Sequence, residues 1–294
     1  MSSDVNELDE IDAKKNAEGV RRPASESKNE EELKTNERYS SRISGVLSCI
    51  PETKIILTEL AAGSTYKDIE KKVLVDNILD KRTSRSREKV LSAVKLRFLS
   101  NPYIKLKPWI KFVTSGISEN SKNLAIYYHL CKSEKIVYDL TTKFLYEKFL
   151  DGRLRVSKNE VLDFLNNQKK SHLEMKKWTP MTTERVVEHY LAMLKDFGFL
   201  KGSKRKEFNV GYTPLEVIMY VVFCLLDEGK NIKQILKSED FKLFFIDNKD
   251  EIVRYLEDAA RKGIVDFKYR EGVYELNTRG KGLEGYVDEI TRKI

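Results

Sequence analysis

Three histidines, three cysteines and many lysines and arginines are the residues of this chain with chemistry to offer. His129, His172 and His189 stand alone, with no HxxxH, HxH or HExxH spacing, so no imidazole pair is set to hold a metal. Cys49, Cys131 and Cys224 lie far apart and form no CxxC pair. Their odd number argues against a disulfide framework or a zinc knuckle, and Cys131 and Cys224 sit in apolar runs that read as core. Neither a glycine-rich phosphate loop nor a GxSxG nucleophile elbow occurs. Carboxylates are numerous but mixed with lysine, as on solvated helix faces. A scattered acidic nuclease site is the catalytic arrangement they leave open. The expectation is a protein that catalyses nothing by itself and uses no metal or cofactor.

Positive charge is the chemistry that remains. The 294 residues carry 54 Lys/Arg against 46 Asp/Glu, a net charge of +8. Residues 1–37 hold six basic and eleven acidic residues, so everything after them is more basic than the total suggests. A body of this charge attracts polyanions: DNA, RNA or anionic lipid. The densest run, Lys81 to Arg97, sets Lys81, Arg82, Arg85, Arg87, Lys89, Lys95 and Arg97 against Glu88 alone. Lys81, Arg82 and Arg85 fall at a helix entrance, where cations oppose the helix dipole at a cost of about 0.3–1 kcal/mol each. An anion bound there would offset that cost. The plainer alternative is a solvated face whose arginines pair with nearby carboxylates. A second set comprises Lys169, Lys170, Lys176 and Lys177 beside Trp178, then Thr182 and Arg185, then Lys201, Lys204, Arg205 and Lys206. Such side chains neutralise phosphates, and a helix N-terminus adds backbone donors.

The elements that would position these residues are mostly helical. Pro51 opens a helix that stops at Gly63, and Ser64 or Thr65 caps the next. Ser84–Leu99 is a third, with Val90, Leu91, Val94 and Phe98 on one face. Residues 101–115 read as a connector with a short helix, and Ser121–Cys131 and Ile136–Phe149 as two more helices. Ser157–Glu160 is a capping box leading into a helix over 157–167. Thr182 or Thr183 is expected to cap a helix to Phe197, and residues 199–213 to form a basic hairpin. Pro214 starts a helix through Leu226, too short an apolar run to span a bilayer. Helices near 231–237 and 248–262 follow. Ile264–Tyr269 and Val273–Asn277 then alternate as a hairpin around a three-residue turn, Arg270-Glu271-Gly272.

The order of three helices and a hairpin occurs at 136–213 and again at 214–277, which is the order of a winged helix-turn-helix. In the first, the third helix would face the groove, although the loop from Asn167 to Met181 is long for that motif. In the second, the third helix mixes Asp250, Glu251, Glu257 and Asp258 with its cations, which favours packing or protein binding. The fold class expected is mainly α: a multi-helix bundle with winged-helix-like subdomains carrying short β-hairpin wings. The divisions are a disordered acidic tail (1–37), an N-terminal helical domain with the basic cluster (38–132), and winged-helix-like domains at 133–210 and 211–294. The N-terminus is polar and acidic, unlike a secretory leader, and the expected location is cytoplasmic, with no membrane association.

The chain resembles the BrxA family of bacteriophage exclusion (BREX) defence systems in three places. These are Tyr39–Leu60; Asp76-Asn77-Ile78-Leu79 running into Lys81, Thr83, Arg87 and Leu96-Arg97-Phe98-Leu99; and Trp178-Thr179-Pro180-Met181 followed by Leu194-Lys195-Asp196-Phe197-Gly198-Phe199-Leu200. The resemblance spans roughly 39–294. It implies a helical, non-enzymatic DNA-binding protein encoded beside a methyltransferase, an ATPase and a phosphatase-like protein, and serving phage restriction, host methylation or both. The leading expectation is an accessory factor that binds double-stranded DNA with little sequence preference. The alternatives are a scaffold that docks partner proteins through its winged domains and basic cluster, and an RNA-binding, antiterminator-like helical protein.

Overall fold

A computed structural model of the protein describes residues 38–246 and 248–292. The acidic segment 1–37, expected to be a disordered tail, lies outside the described residues. Arg38 onward forms one unit, mainly helical, with a few short antiparallel strands.

Helix α1 (Ile50–Ala61) has Pro51 in its first turn and ends where Gly63 turns to a φ of 89°. In α2 (Tyr66–Leu74), the Thr65 hydroxyl accepts from the Asp68 amide while the Asp68 carboxylate accepts from the Thr65 amide. Thr83 caps α3 (Ser84–Val94), which runs on into a π-helical turn, Lys95–Leu99. The connector holds α4 (Leu106–Thr114).

Helix α5 (Glu119–Ser133) is buried almost all round from Leu124 to Cys131, as befits a helix at the centre of a fold. It packs against α4 and against α10 (Leu215–Asp227), whose apolar run is likewise buried. No helix among the described residues is long and apolar enough to cross a membrane. Aromatic rings fill the space between these helices. Phe112 lies 4.7 Å from Tyr220, and Trp109 meets Phe98 at 5.1 Å and His129 at 5.3 Å. The last helix, α13 (Leu283–Arg292), returns to pack on α4 and α10, with Phe223 and Tyr286 stacked at 4.6 Å.

Between these layers, α6 (Lys135–Asp139) passes through a π-helical turn, Leu140–Leu145, into α7 (Tyr146–Leu150). The hydroxyls of Thr141 and Thr142 bond back to the Val137 and Tyr138 carbonyls, each at 2.9 Å, a contact that widens and bends a helix. There follow β1 (Arg155–Val156), α8 (Lys158–Gln168), a 3-10 turn (Leu173–Lys177), α9 (Pro180–Asp196), β2 (Leu200–Lys201) and β3 (Lys206–Phe208). The strands form an antiparallel sheet in the order β1–β3–β2, with Val156 opposite Lys206 and Lys201 opposite Glu207. The expected two-stranded hairpin is thus a three-stranded sheet, because two residues of β1 are too few to show an alternation.

The C-terminal part continues with α11 (Ile232–Ile235), a 3-10 turn (Glu239–Phe244), α12 (Lys249–Arg261), β4 (Asp266–Arg270), β5 (Val273–Asn277) and α13. Here the turn differs from expectation. Arg270 pairs with Val273, which leaves two turn residues, Glu271 and Gly272, at φ of 50° and 85°. Two positive φ angles match the right-handed twist of a tight hairpin, and Glu-Gly supplies them despite being a less familiar pair than Asn-Gly.

A buried polar network pins the residues before α1 to this frame. Arg97, 2% exposed, bonds the Glu134 carboxylate at 3.2 Å and the Leu47 and Val46 carbonyls at 2.8 and 2.9 Å. Glu134 also accepts from Ser40 and pairs with Arg42. Tyr39 stacks on His172 at 3.7 Å and donates its hydroxyl to the buried Asp139. His189 of α9 meets the Ile43 carbonyl, and Ser48 donates to Asp196. Residues 39–48 therefore lie along one edge of α9.

Candidate nucleic-acid interface

Helix α9 begins one turn earlier than the sequence suggests. Thr179 is the cap, its hydroxyl accepting from the Thr182 amide at 3.1 Å, with Pro180 in the first helical position. Neither Thr182 nor Thr183 caps the helix. Thr182 sits in the first turn with its hydroxyl 2.9 Å from that of Thr179, and Thr183 is buried against the core. A proline cannot continue a hydrogen-bond ladder but suits a first turn, so Thr179-Pro180 takes the start.

The core-facing side of α9 carries Val186, Val187, Tyr190, Leu191 and Leu194. The exposed stripe opposite is Met181, Glu184, Arg185, Glu188 and Lys195. Lys158 of α8 reaches both acids, at 2.8 Å to Glu188 and 3.7 Å to Glu184, and its bond to Glu188 holds that carboxylate below the ordinary range. The stripe is thus of mixed charge. Arg185 projects from it, while Lys195 closes its far end. Reading the sequence for dense charge runs misses Lys195, although its spacing of seven residues from Glu188 puts it on the same helical stripe.

Cations gather at both ends of α9. Before its start, Lys176 and Lys177 are exposed on the 3-10 turn whose Met175 is buried, Lys169 is the half-buried cap residue of α8, and Lys170 is exposed beside it. This turn resolves the long loop: it is an ordered structure anchored by Met175, with its lysines outward. Beyond the helix's end, Lys201, Lys204 and Arg205 are exposed on the β2–β3 hairpin and Lys206 is half-buried. Partial burial, then the like charge of Lys195, lower the Lys206 ammonium below its usual range. Gly202 (φ 88°) makes the tight turn, since a Cβ there would run into the Arg205 carbonyl. With 17 residues, α9 separates the two groups by roughly 25 Å along its axis.

The earlier cluster lies elsewhere: α3 packs on α1 and α2, whereas the β2–β3 hairpin packs on α9. Its members divide. Arg97, which the sequence groups with the cluster, is a buried structural residue. Lys81 pairs with Glu52 and ties the segment before α3 to α1. Lys95 lies over the Tyr66 ring at 4.2 Å. Arg82, Arg85 and Lys89 are exposed, and Arg87 is half-buried with its Nε shut from water and unbonded among the described residues. Glu88, the one acid, accepts from Ser84. Among the described residues, Arg82, Arg85, Arg87, Lys89, Lys169, Lys170, Lys176, Lys177, Arg185, Lys204, Arg205 and Lys206 form no ion pair. Surface cations elsewhere do find carboxylates, as Lys105 finds Asp227 and Lys107 finds Glu284.

The titratable core offers a different picture. His129 is buried with its Nε2 2.8 Å from the Tyr220 hydroxyl, and burial, then the nearby Lys132 charge, lower its pKa to about 3. Burial raises the Cys131 and Cys224 thiols far above their usual range. These are packed neutral groups. Among the described residues no cluster of three His, Cys, Asp or Glu is placed to hold a metal ion.

The architecture defines a mainly helical protein with exposed cations at both ends of α9 and on α3 that form no ion pair among the described residues. The chain belongs to the BrxA family, whose model matches residues 37–223. Membership makes it a component of BREX phage defence and implies association with other components of such a system. No curated protein matches the chain significantly. Among solved structures, the crystal structure of an uncharacterized protein from Magnetospirillum magneticum is similar with a TM-score of 0.56 and 17% identity. The match covers 70% of this chain and 98% of that one, and it speaks to the fold alone.

Proposed function

We propose that this BREX component is a non-enzymatic accessory protein that binds duplex DNA with little sequence specificity. Residues 135–208 would act as a winged-helix-like unit, a reading supported by the order helix, strand, helix, helix, strand, strand and by the β1–β3–β2 pairing. The observation that carries the proposal is the absence of ionic partners, among the described residues, for the cations flanking α9. Unpaired cations fixed on a helix end and a hairpin neutralise phosphates without first breaking an ion pair. Lys204, Arg205 and Lys206 would track the backbone on one side, and Lys169, Lys170, Lys176 and Lys177 on the other. The α3 set of Arg82, Arg85, Arg87 and Lys89 would extend the electrostatic footprint.

The test is a salt-titrated anisotropy measurement on a duplex. The triple variant Lys204→Glu/Arg205→Glu/Lys206→Glu should bind more weakly on every sequence. Its slope of log affinity against log salt should fall by about 2–3, at ~0.9 for each phosphate that is no longer neutralised. An unchanged slope removes the hairpin from the interface.

A second reading is favoured by the mixed charge of the α9 stripe. Glu184 and Glu188 would repel phosphate but suit a protein partner, such as the methyltransferase, ATPase or phosphatase-like component of the system. Under this reading Glu184→Lys/Glu188→Lys abolishes nuclease-resistant co-purification with those proteins. If α9 instead faces the DNA groove, the same change tightens duplex binding and leaves co-purification intact.

A further inference from the structure

The second hairpin carries at its tip a surface that the other described residues do not cover. Tyr269 of β4 stands opposite Tyr274 of β5 in the ladder, and the two rings stack with centroids 4.7 Å apart and planes 12° from parallel. Further down the same face, Phe267 and Leu276 pair and pack against the core. The Lys249 ammonium lies 4.1 Å from the Tyr274 ring centroid, so the inner ring is covered while the outer one is left open. Tyr269 is 52% exposed and its neighbour across the turn, Val273, 59% exposed.

We propose that the Tyr269–Tyr274 pair is a stacking platform for an unpaired nucleobase, with Lys249, beside the inner ring, placed for an adjoining phosphate. A flat, open aromatic face beside cations is the chemistry that recognises single-stranded nucleic acid, because every base has a π face. A protein interface fits less well. The tip offers two exposed large apolar side chains, Tyr269 and Val273, on opposite faces of the hairpin, whereas a specific protein interface covers about 800 Å² on each partner. Charge at the tip is close to balanced: Glu271 occupies the turn, Glu275 stands opposite Lys268, and Asp250 follows Lys249. Binding here therefore draws on stacking more than on counterion release, and its dependence on salt is shallow. That separates it from the α9 surface. The sequence pattern shows the hairpin but not the platform, since strand alternation does not say which end of a face is left uncovered.

The inference rests on the nucleic-acid reading, but its test is separable. The full-length protein is titrated with a labelled oligothymidine strand and, separately, with a duplex closed at both ends by loops too short to stack. Tyr269→Ala should weaken strand binding about tenfold, the usual order when a stacking ring is truncated, while Tyr269→Phe retains it. The closed duplex should be bound equally by all three proteins. Strand binding unaffected by Tyr269→Ala, or absent from the unaltered protein, overturns the platform. Strand binding that survives the Lys204–Lys206 reversal while duplex binding weakens supports both sites as separate, and strand binding by a protein that never binds the closed duplex leaves the platform standing without the duplex reading. A Tyr269→Ala protein that holds the strand normally but loses its BREX partners also overturns it, by assigning the tip to protein contact.

Discussion

Arg97→Ala should lower the unfolding free energy by about 3–5 kcal/mol, the cost of removing one partner from a buried charge pair. Arg97 is 2% exposed and its partner Glu134 1%, so neither charge has water to fall back on. Its loss would leave the Val46 and Leu47 carbonyls without their donor and the Glu134 carboxylate with only Arg42 and Ser40. Arg97→Lys should recover little, because one ammonium cannot reach a carboxylate and two carbonyls in the directions a guanidinium does. Replacing both members, Arg97→Met with Glu134→Leu, should cost less than the sum of the single changes, since no fully buried charge is then stranded and Arg42, which loses Glu134, still reaches water. Urea unfolding of Arg97→Ala, Arg97→Lys, the double variant and its two single changes measures these effects. The damage should also be directional: residues 39–48, released from the network, should exchange their amides faster than the α5 core. A change below about 1 kcal/mol for Arg97→Ala would contradict the burial and bonding of this pair.

That role is hidden in the sequence, and the reason is physical. Arg97 ends a run of seven cations, and composition cannot tell a cation aimed at phosphate from one aimed inward at a glutamate 37 residues away. The helices themselves are legible because their signals are local. Pro51, the Thr65–Asp68 box, the Ser157–Glu160 box and Gly198 set their ends through neighbours within four residues. What local signals miss is decided by partners distant in sequence. Strand β1 exists because β3, far along the chain, supplies its ladder. The buried Met175 orders what reads as a polar loop. Residues 39–48 look like a mere entrance to α1, yet they lie against α9 through His189 and Asp196. The candidate site is half legible for the same reason. Clusters of lysine are visible in a sequence, but the Lys158 bond that balances Glu184 and Glu188 depends on two helices meeting.

The buried polar groups make stability depend on pH through His129. Burial foremost, and then the Lys132 charge, lower its pKa from 6.5 to about 3, so the folded protein keeps the imidazole neutral across the mild acid range. The unfolded chain takes up a proton near pH 6.5 and the folded one does not. Stability therefore falls as pH drops below that value, with a limiting slope of about 1.4 kcal/mol per pH unit for one proton. Between about pH 8 and pH 5 the loss from this residue should be about 2 kcal/mol. Carboxylates with lowered values act in the same direction but lower down: Glu119 at about 2, and Asp240, whose burial is outweighed by Lys132, Tyr138 and Tyr128. They add stability above their unfolded values and lose it only as pH falls through their folded ones. The range above pH 5 thus separates the histidine from these carboxylates. His129→Gln keeps a polar atom for the Tyr220 hydroxyl and cannot titrate. It should be less stable than the parent at pH 8 and lose about 2 kcal/mol less between pH 8 and pH 5. Equal losses in both proteins would mean that His129 takes up its proton in the folded state as readily as in the unfolded one, and would overturn the role given to its burial between Trp109, Tyr128 and Tyr220.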